Sequence, residues 1–191
     1  MAQEENNNVK CFYKIRTLDD VPDVYKTHPN FDKLIKDPAH GNKMVPGALR
    51  EAMAAIEAER QGLVKALVSR NSNGYIDFID GDGRPYDVKT PPSPFPIGKF
   101  PFNEYAAGNA VLTELDTSEP NDITGKKEPV NVLLDVSYLT KDDYLKLKTF
   151  LDENTNSEQK KRIVEVKIDF DNLEHNKVNS VVLDKLKRAG R

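Results

Sequence analysis

The stretch from Tyr75 to Pro91, YIDFIDGDGRPYDVKTP, reads as a β-hairpin. Its first arm, Tyr75 to Asp80, alternates and is rich in β-forming side chains, and Pro85 to Thr90 makes the second arm. Between them Gly81, Asp82 and Gly83 form a turn, and its length decides which side chains meet. Residues two apart on a strand share a face, so Asp87 and Lys89 point the same way whatever the turn. A three-residue turn, with Gly83 at the positive φ its last position wants, pairs Asp80 with Arg84 and sets Asp77 opposite Asp87. A two-residue turn sets Phe78 opposite Asp87 and scatters the acids. The glycine pattern permits both.

Upstream, Pro46-Gly47 followed by ALREAMAAIEAERQ predicts a helix, and Gly62 stops or bends it. LVKALVSRN, which follows, is compatible with more helix or with a first strand. Residues 1–45 are polar, broken by Pro22, Pro29 and Pro38, and read as a lead-in with a short strand (Val9 to Ile15) and little helix. Downstream, five prolines between Pro91 and Pro101 mark a long loop. NEYAAGNAVLTEL resumes as helix, and VNVLLDVS is a continuous apolar run that suits a buried strand. Thr140 caps a further helix, TKDDYLKLKTFLDEN, with Asp142 and Asp143 in its first turn, and RIVEVKIDF is the last strand. The order α–β–β–α–β–α–β predicts an α/β fold: a single domain with a central mixed β-sheet flanked by helices. Residues 46–170 form its core and 171–191 a C-terminal extension.

A chain of 191 residues supports one good core. Its net charge of −3 gives no general attraction for nucleic acid or an anionic membrane, so any phosphate binding must rest on a local basic face. Cys11 is alone, which excludes an internal disulfide, and KCFYK offers it no activating base. His28, His40 and His175 are scattered, which argues against zinc and against paired-histidine nucleases, and His40 reads as a loop histidine rather than a base. No apolar run approaches a membrane span, so no membrane anchor is expected. MAQEENNNV lacks the pattern of a signal peptide, so any export would depend on sequence outside this chain.

Two facing carboxylates stay ionised together only with a cation between them. Hard oxygen ligands without His or Cys favour Mg²⁺ or Mn²⁺. Such an ion can bind a phosphodiester oxygen and acidify a water, and a lysine two residues along can hold or deprotonate that water or offset phosphate charge. On the preceding helix Leu49, Met53 and Ile56 make an apolar stripe. Glu51 falls among Ala48, Ala55 and Ala58, a face small enough to approach a sheet closely, while Glu57 and Glu59 read as solvated. Asp77 and Asp87, with Glu51 as a further ligand and Lys89 as the assisting cation, thus make a phosphodiesterase set. A weaker second candidate joins Asp135 to Glu165-Val166-Lys167.

These residues carry a resemblance. A helix glutamate, then RN-x-x-GYIDFI, a short turn and DVKT, resembles the metal core of the PD-(D/E)xK (restriction-endonuclease-like) nuclease superfamily. More closely, DPAHGNKMVPGALREA, FIDGDGRPYDVK and NVLLDVSYLT, in that order, are similar to C-terminal toxin domains of bacterial contact-dependent growth inhibition and Rhs-type polymorphic toxins. The similarity spans roughly residues 37–168. It implies a Mg²⁺- or Mn²⁺-dependent endonuclease acting on DNA or RNA, with Glu51, Asp77 and Asp87 as metal ligands and Lys89 assisting the water. Asp80 is left as a turn residue or substitute ligand. The third acid of that superfamily is more often Glu, so Asp87 would draw the ion closer to its strand. The resemblance further implies delivery as part of a larger secreted or surface protein, action in the target-cell cytoplasm, and a cognate immunity protein. Lys65, Arg70, Arg84 and Lys99 are candidates to guide the phosphate backbone. Two other readings remain open: a housekeeping nuclease of the same superfamily, and a catalytically degenerate binding or immunity module.

Overall fold

Two one-turn helices, α1 (Asp23–Lys26) and α2 (Phe31–Leu34), precede the long helix α3 (Pro46–Arg60) in the computed structural model, which describes residues 14–92 and 101–173. Pro46 sits in the first turn of α3, where a missing amide costs nothing, as the sequence predicts. Strands β1 (Phe78–Ile79) and β2 (Pro85–Lys89) form the hairpin, and helix α4 (Glu104–Leu115) follows, capped by Asn103. A small hairpin, β3 (Ser118–Pro120) and β4 (Lys127–Pro129), leads into β5 (Asn131–Asp135). Helix α5 (Lys141–Asn154), capped by Thr140, the short α6 (Ser157–Lys161) and β6 (Ile163–Val166) complete the elements.

The main sheet has the order β1-β2-β5-β6, with β1 antiparallel to β2 and the other pairs parallel. This is a single α/β fold with a mixed sheet flanked by helices. Alternation assigns its two faces. Tyr86, Val88, Leu133 and Val166 pack with Leu49, Met53 and Ile56 of α3. Val132 and Leu134 pack with Val111 and Leu115 of α4 and with Leu147 and Leu151 of α5. Each of these large side chains contributes on the order of 1.5–3 kcal/mol by leaving water.

Three segments differ from their sequence reading. Residues 14–45 hold two short helices and send Val21, Tyr25, Phe31, Leu34 and Ile35 into the α3 side of the core. Prolines there shorten the helices without stopping apolar side chains from packing. LVKALVSRN is neither helix nor strand: Gly62, at φ +71, ends α3, and only Ser69 bridges to Ile79, through N–H···O bonds of 2.9 and 2.8 Å. Glu57 and Glu59, expected in solvent, are largely buried. Glu57 accepts from the Tyr25 hydroxyl (2.8 Å), and Glu59 from the Val68 amide (2.8 Å) while pairing with His28 (3.1 Å). Helix α3 is covered on more than its apolar stripe, so those acids meet donors from α1 and the 61–70 segment. Val9 to Tyr13, Cys11, His175, Lys99 and most of the proline loop lie outside the described residues.

Candidate active site

The turn is the three-residue one. Phe78 pairs with Tyr86 and Ile79 with Pro85; the Asp80 amide donates to the Arg84 carbonyl at 3.1 Å, and Gly83 takes φ +80. One step further along this register sets Asp77 across from Asp87. Three contacts hold the register. The Phe78 and Tyr86 rings stack at 4.8 Å. Asp80 Oδ1 accepts the amides of Asp82 (3.0 Å) and Arg84 (2.9 Å), which makes Asp80 a turn residue. Gly81 lies so close to Ala66 that a Cβ would sit 1.8 Å from its carbonyl oxygen.

Asp77 ends the ladder with its side chain. Its amide donates to the Tyr86 carbonyl (3.0 Å), and its carbonyl accepts from Arg70 Nη1 (3.0 Å). Its Oδ2 accepts the Val88 amide at 2.7 Å, in place of a main-chain rung. Asp87 and Lys89 lie on the opposite face of β2 from Tyr86 and Val88, the face that α4 covers. Lys89 Nζ is 2.6 Å from Asp87 Oδ1 and 3.0 Å from Oε1 of Glu114, a residue of α4. The Glu114 contact is a hydrogen bond, whereas Asp87 Oδ1 is left with a charge contact off the hydrogen-bond line.

Glu51 joins through Arg70. The guanidinium is 3.6 Å from Glu51, 3.9 Å from Asp77 and 3.5 Å from Asp37, with its side chain only 8% exposed. Arg70 is therefore an internal counter-ion rather than a guide for phosphate; Lys65 and Arg84 are exposed. Asp37 in turn holds the Ala39 amide (2.8 Å) and His40 Nδ1 (2.6 Å), so His40 is bound within its own turn, Pro38–His40.

Five carboxylates (Asp37, Glu51, Asp77, Asp87 and Glu114) thus face two fixed cations, Arg70 and Lys89. Glu51, Asp77 and Asp87 are raised, whereas at Asp37 burial is outweighed by the bonds from His40 and the Ala39 amide and by the Arg70 charge, and its carboxyl is lowered. Burial, then the Glu51 charge, pushes Asp77 up to about 7; burial, then Asp77, pushes Asp87 up to about 7. Glu51 is raised by burial, against Arg70 and with Asp37 and Asp87 adding to it. Burial pulls the Lys89 ammonium down, but Asp87 and Glu114 outweigh it and its pKa ends above the ordinary value. Glu51 Oε2 and Asp87 Oδ1 are buried oxygens without a hydrogen-bond partner. Hard oxygens left over in excess negative charge fit a divalent cation of the Mg²⁺ type. Among the described residues, however, no three His, Cys, Asp or Glu side chains already converge as a ligand group, because Arg70 and Lys89 pair with the acids instead.

The second candidate does not assemble. Glu165 pairs with Leu134 and Asp135 with Val166, which puts the two acids on opposite faces. Glu165 takes the Tyr144 hydroxyl (2.8 Å), and Lys167 is exposed. Asp135 is fully buried, accepts the Ser137 amide (3.0 Å) and hydroxyl, and is raised to about 6 by burial despite those bonds.

Sequence reading missed Glu114 and Asp37, which reach the site by tertiary packing. It also missed the β3–β4 hairpin's part. Asn121 Nδ2 donates to the Gly83 carbonyl (2.6 Å), Asn71 and Asn73 donate to the Pro120 carbonyl (3.1 and 2.7 Å), and Asp122 holds the Ser72 hydroxyl (2.8 Å). That hairpin clamps the segment before Asp77 to the turn after it. Two short polar runs, Asn71 to Asn73 and Asn121-Asp122, were the available signal. Comparison with family models, with curated proteins and with solved structures finds no match to this chain.

Proposed function

We propose that this chain is a divalent-metal-dependent nuclease, hydrolysing phosphodiester bonds of DNA or RNA. The observation that carries the reading is Asp77 set across from Asp87 in a site where carboxylates outnumber cations, with Lys89 on the Asp87 face. Glu51, Asp77 and Asp87 would hold Mg²⁺ or Mn²⁺. When bound, the ion supplies Lewis-acid chemistry: it polarises the phosphoryl oxygen and lowers the pKa of the attacking water. Lys89, which Asp87 and Glu114 hold in the metal-free site, would position that water or offset charge on a phosphate oxygen. Arg70 fixes the carbonyl and faces the carboxylate of Asp77, keeping the ligand at the end of β1.

The particular protein we propose is a toxin domain of the contact-dependent or Rhs-type polymorphic class, delivered into a target cell and answered by a cognate immunity protein. The motif order from Asp37 to Thr140 supports this setting. A second reading, a binding or immunity module with a degenerate site, is favoured by the pairing of Arg70 and Lys89 with the acids. Plasmid DNA and total RNA incubated with the protein and Mg²⁺, Mn²⁺ or EDTA separate the two. The nuclease reading expects metal-dependent cleavage of at least one polymer, abolished by Asp87→Ala and strongly lowered, with a measurable residue, by Lys89→Ala. Absence of cleavage by the wild type sinks it, and cleavage that survives EDTA removes the metal from the site. Growth arrest on cytoplasmic expression, lost with Asp87→Ala, tests the toxin setting.

A further inference from the structure

Lys89 lies beside Leu134 in the parallel β2–β5 register, and Leu134 packs under Val111 and Leu115 of α4. Glu114 borders those two residues on the helix, which brings its carboxylate over the β2 strand to accept from Lys89 Nζ at 3.0 Å. A lysine has four rotatable methylene links, and one fixed acceptor removes most of its rotamers. Asp87 cannot supply that anchor during the proposed reaction. An oxygen committed to a divalent cation has little charge left for an ammonium, and the ion itself repels the ammonium.

We propose that Glu114 is the positioning residue of this site, holding the Lys89 ammonium toward the reacting phosphate once Asp87 is engaged by the metal. The proposal rests on the nuclease reading above. It makes the docking of α4 on the sheet a condition for catalysis, although α4 supplies no ligand.

The test uses Glu114→Ala and Glu114→Gln, each alone and combined with Lys89→Ala. Cleavage is followed with Mn²⁺ under single-turnover and steady-state conditions, and thermal unfolding is followed at pH 8 in EDTA. Glu114→Ala is expected to lower kcat about 10- to 100-fold with KM within about twofold, and Glu114→Gln, which keeps an acceptor oxygen in place, to retain more activity. With Lys89 already removed, Glu114→Ala should cost no further activity, because the residue acts through the lysine. In EDTA, Glu114→Gln lowers Tm of the otherwise wild-type protein. In the Lys89→Ala background the same change raises Tm, since Asp87 and Glu114 then face one another without an ammonium between them. A further loss of kcat in the Lys89→Ala background, or a Tm drop in both backgrounds, overturns the proposal in favour of a structural role. If the wild type cleaves nothing, or Asp87→Ala cleaves normally, the nuclease reading fails and takes the catalytic role with it. The melting cycle then still decides whether Glu114 and Lys89 are coupled.

Discussion

Replacing Asp87 by Asn should stabilise the metal-free protein, and by an amount that grows with pH. In the folded chain Asp77 and Asp87 are both raised from 3.8 to about 7. The folded protein therefore holds protons that the unfolded chain has released. The stability from those protons is full below pH 3.8 and is lost as pH climbs through the folded value of about 7. At about 1.4 kcal/mol per pH unit, one such carboxyl loses at most about 4 kcal/mol across this window. Asp87 is 15% exposed and shares its repulsion with Asp77, which reduces the share assignable to it to about 2–3 kcal/mol. Losing the mostly buried pair with Lys89 subtracts about 1 kcal/mol, because Glu114 still holds the ammonium. The expectation is a net gain of about 2 kcal/mol at pH 8, shrinking to under about 1 kcal/mol at pH 4.5. Urea denaturation in EDTA at both pH values measures it. A gain that is absent at pH 8, or equal at the two pH values, would show that Asp87 is neither desolvated nor repelled as described. Adding Mn²⁺ at pH 8 should then stabilise the wild type more than Asp87→Asn.

Other expectations concern the supports of the site. Gly81→Ala forces the 65–67 backbone away from the turn and should cost about 1–3 kcal/mol or more in chemical denaturation; an unchanged midpoint would contradict the close approach. Glu59→Ala leaves the Val68 amide and the His28 ring without their buried partner, and a loss of about 1–3 kcal/mol should appear in the same assay. Asp122→Ala releases Ser72 and should speed amide exchange at residues 71–73 while leaving α5 protected, which exchange mass spectrometry resolves; uniform exchange would show that the β3–β4 hairpin is not a local clamp.

The sequence by itself determined what depends on neighbours within a turn or two. The α3, α4 and α5 helices, the Thr140 cap, the shared face of Asp87 and Lys89, and a glycine ready for positive φ at position 83 are all properties of short stretches. Alternation and capping act over a few residues, so a few residues reveal them. Only the tertiary structure chose between the two turn registers. That choice rests on the stacking of Phe78 with Tyr86, on Asp80 gathering two amides, and on the backbone of Ala66 pressed against Gly81. It also buried Glu57 and Glu59, drew Arg70 in among the acids and brought Glu114 to Lys89. Glu114 lies 25 residues from Lys89 in the chain, and Tyr25 lies 32 from Glu57. Their meetings are set by how the helices pack on the two faces of the sheet, and no local pattern of side chains encodes that.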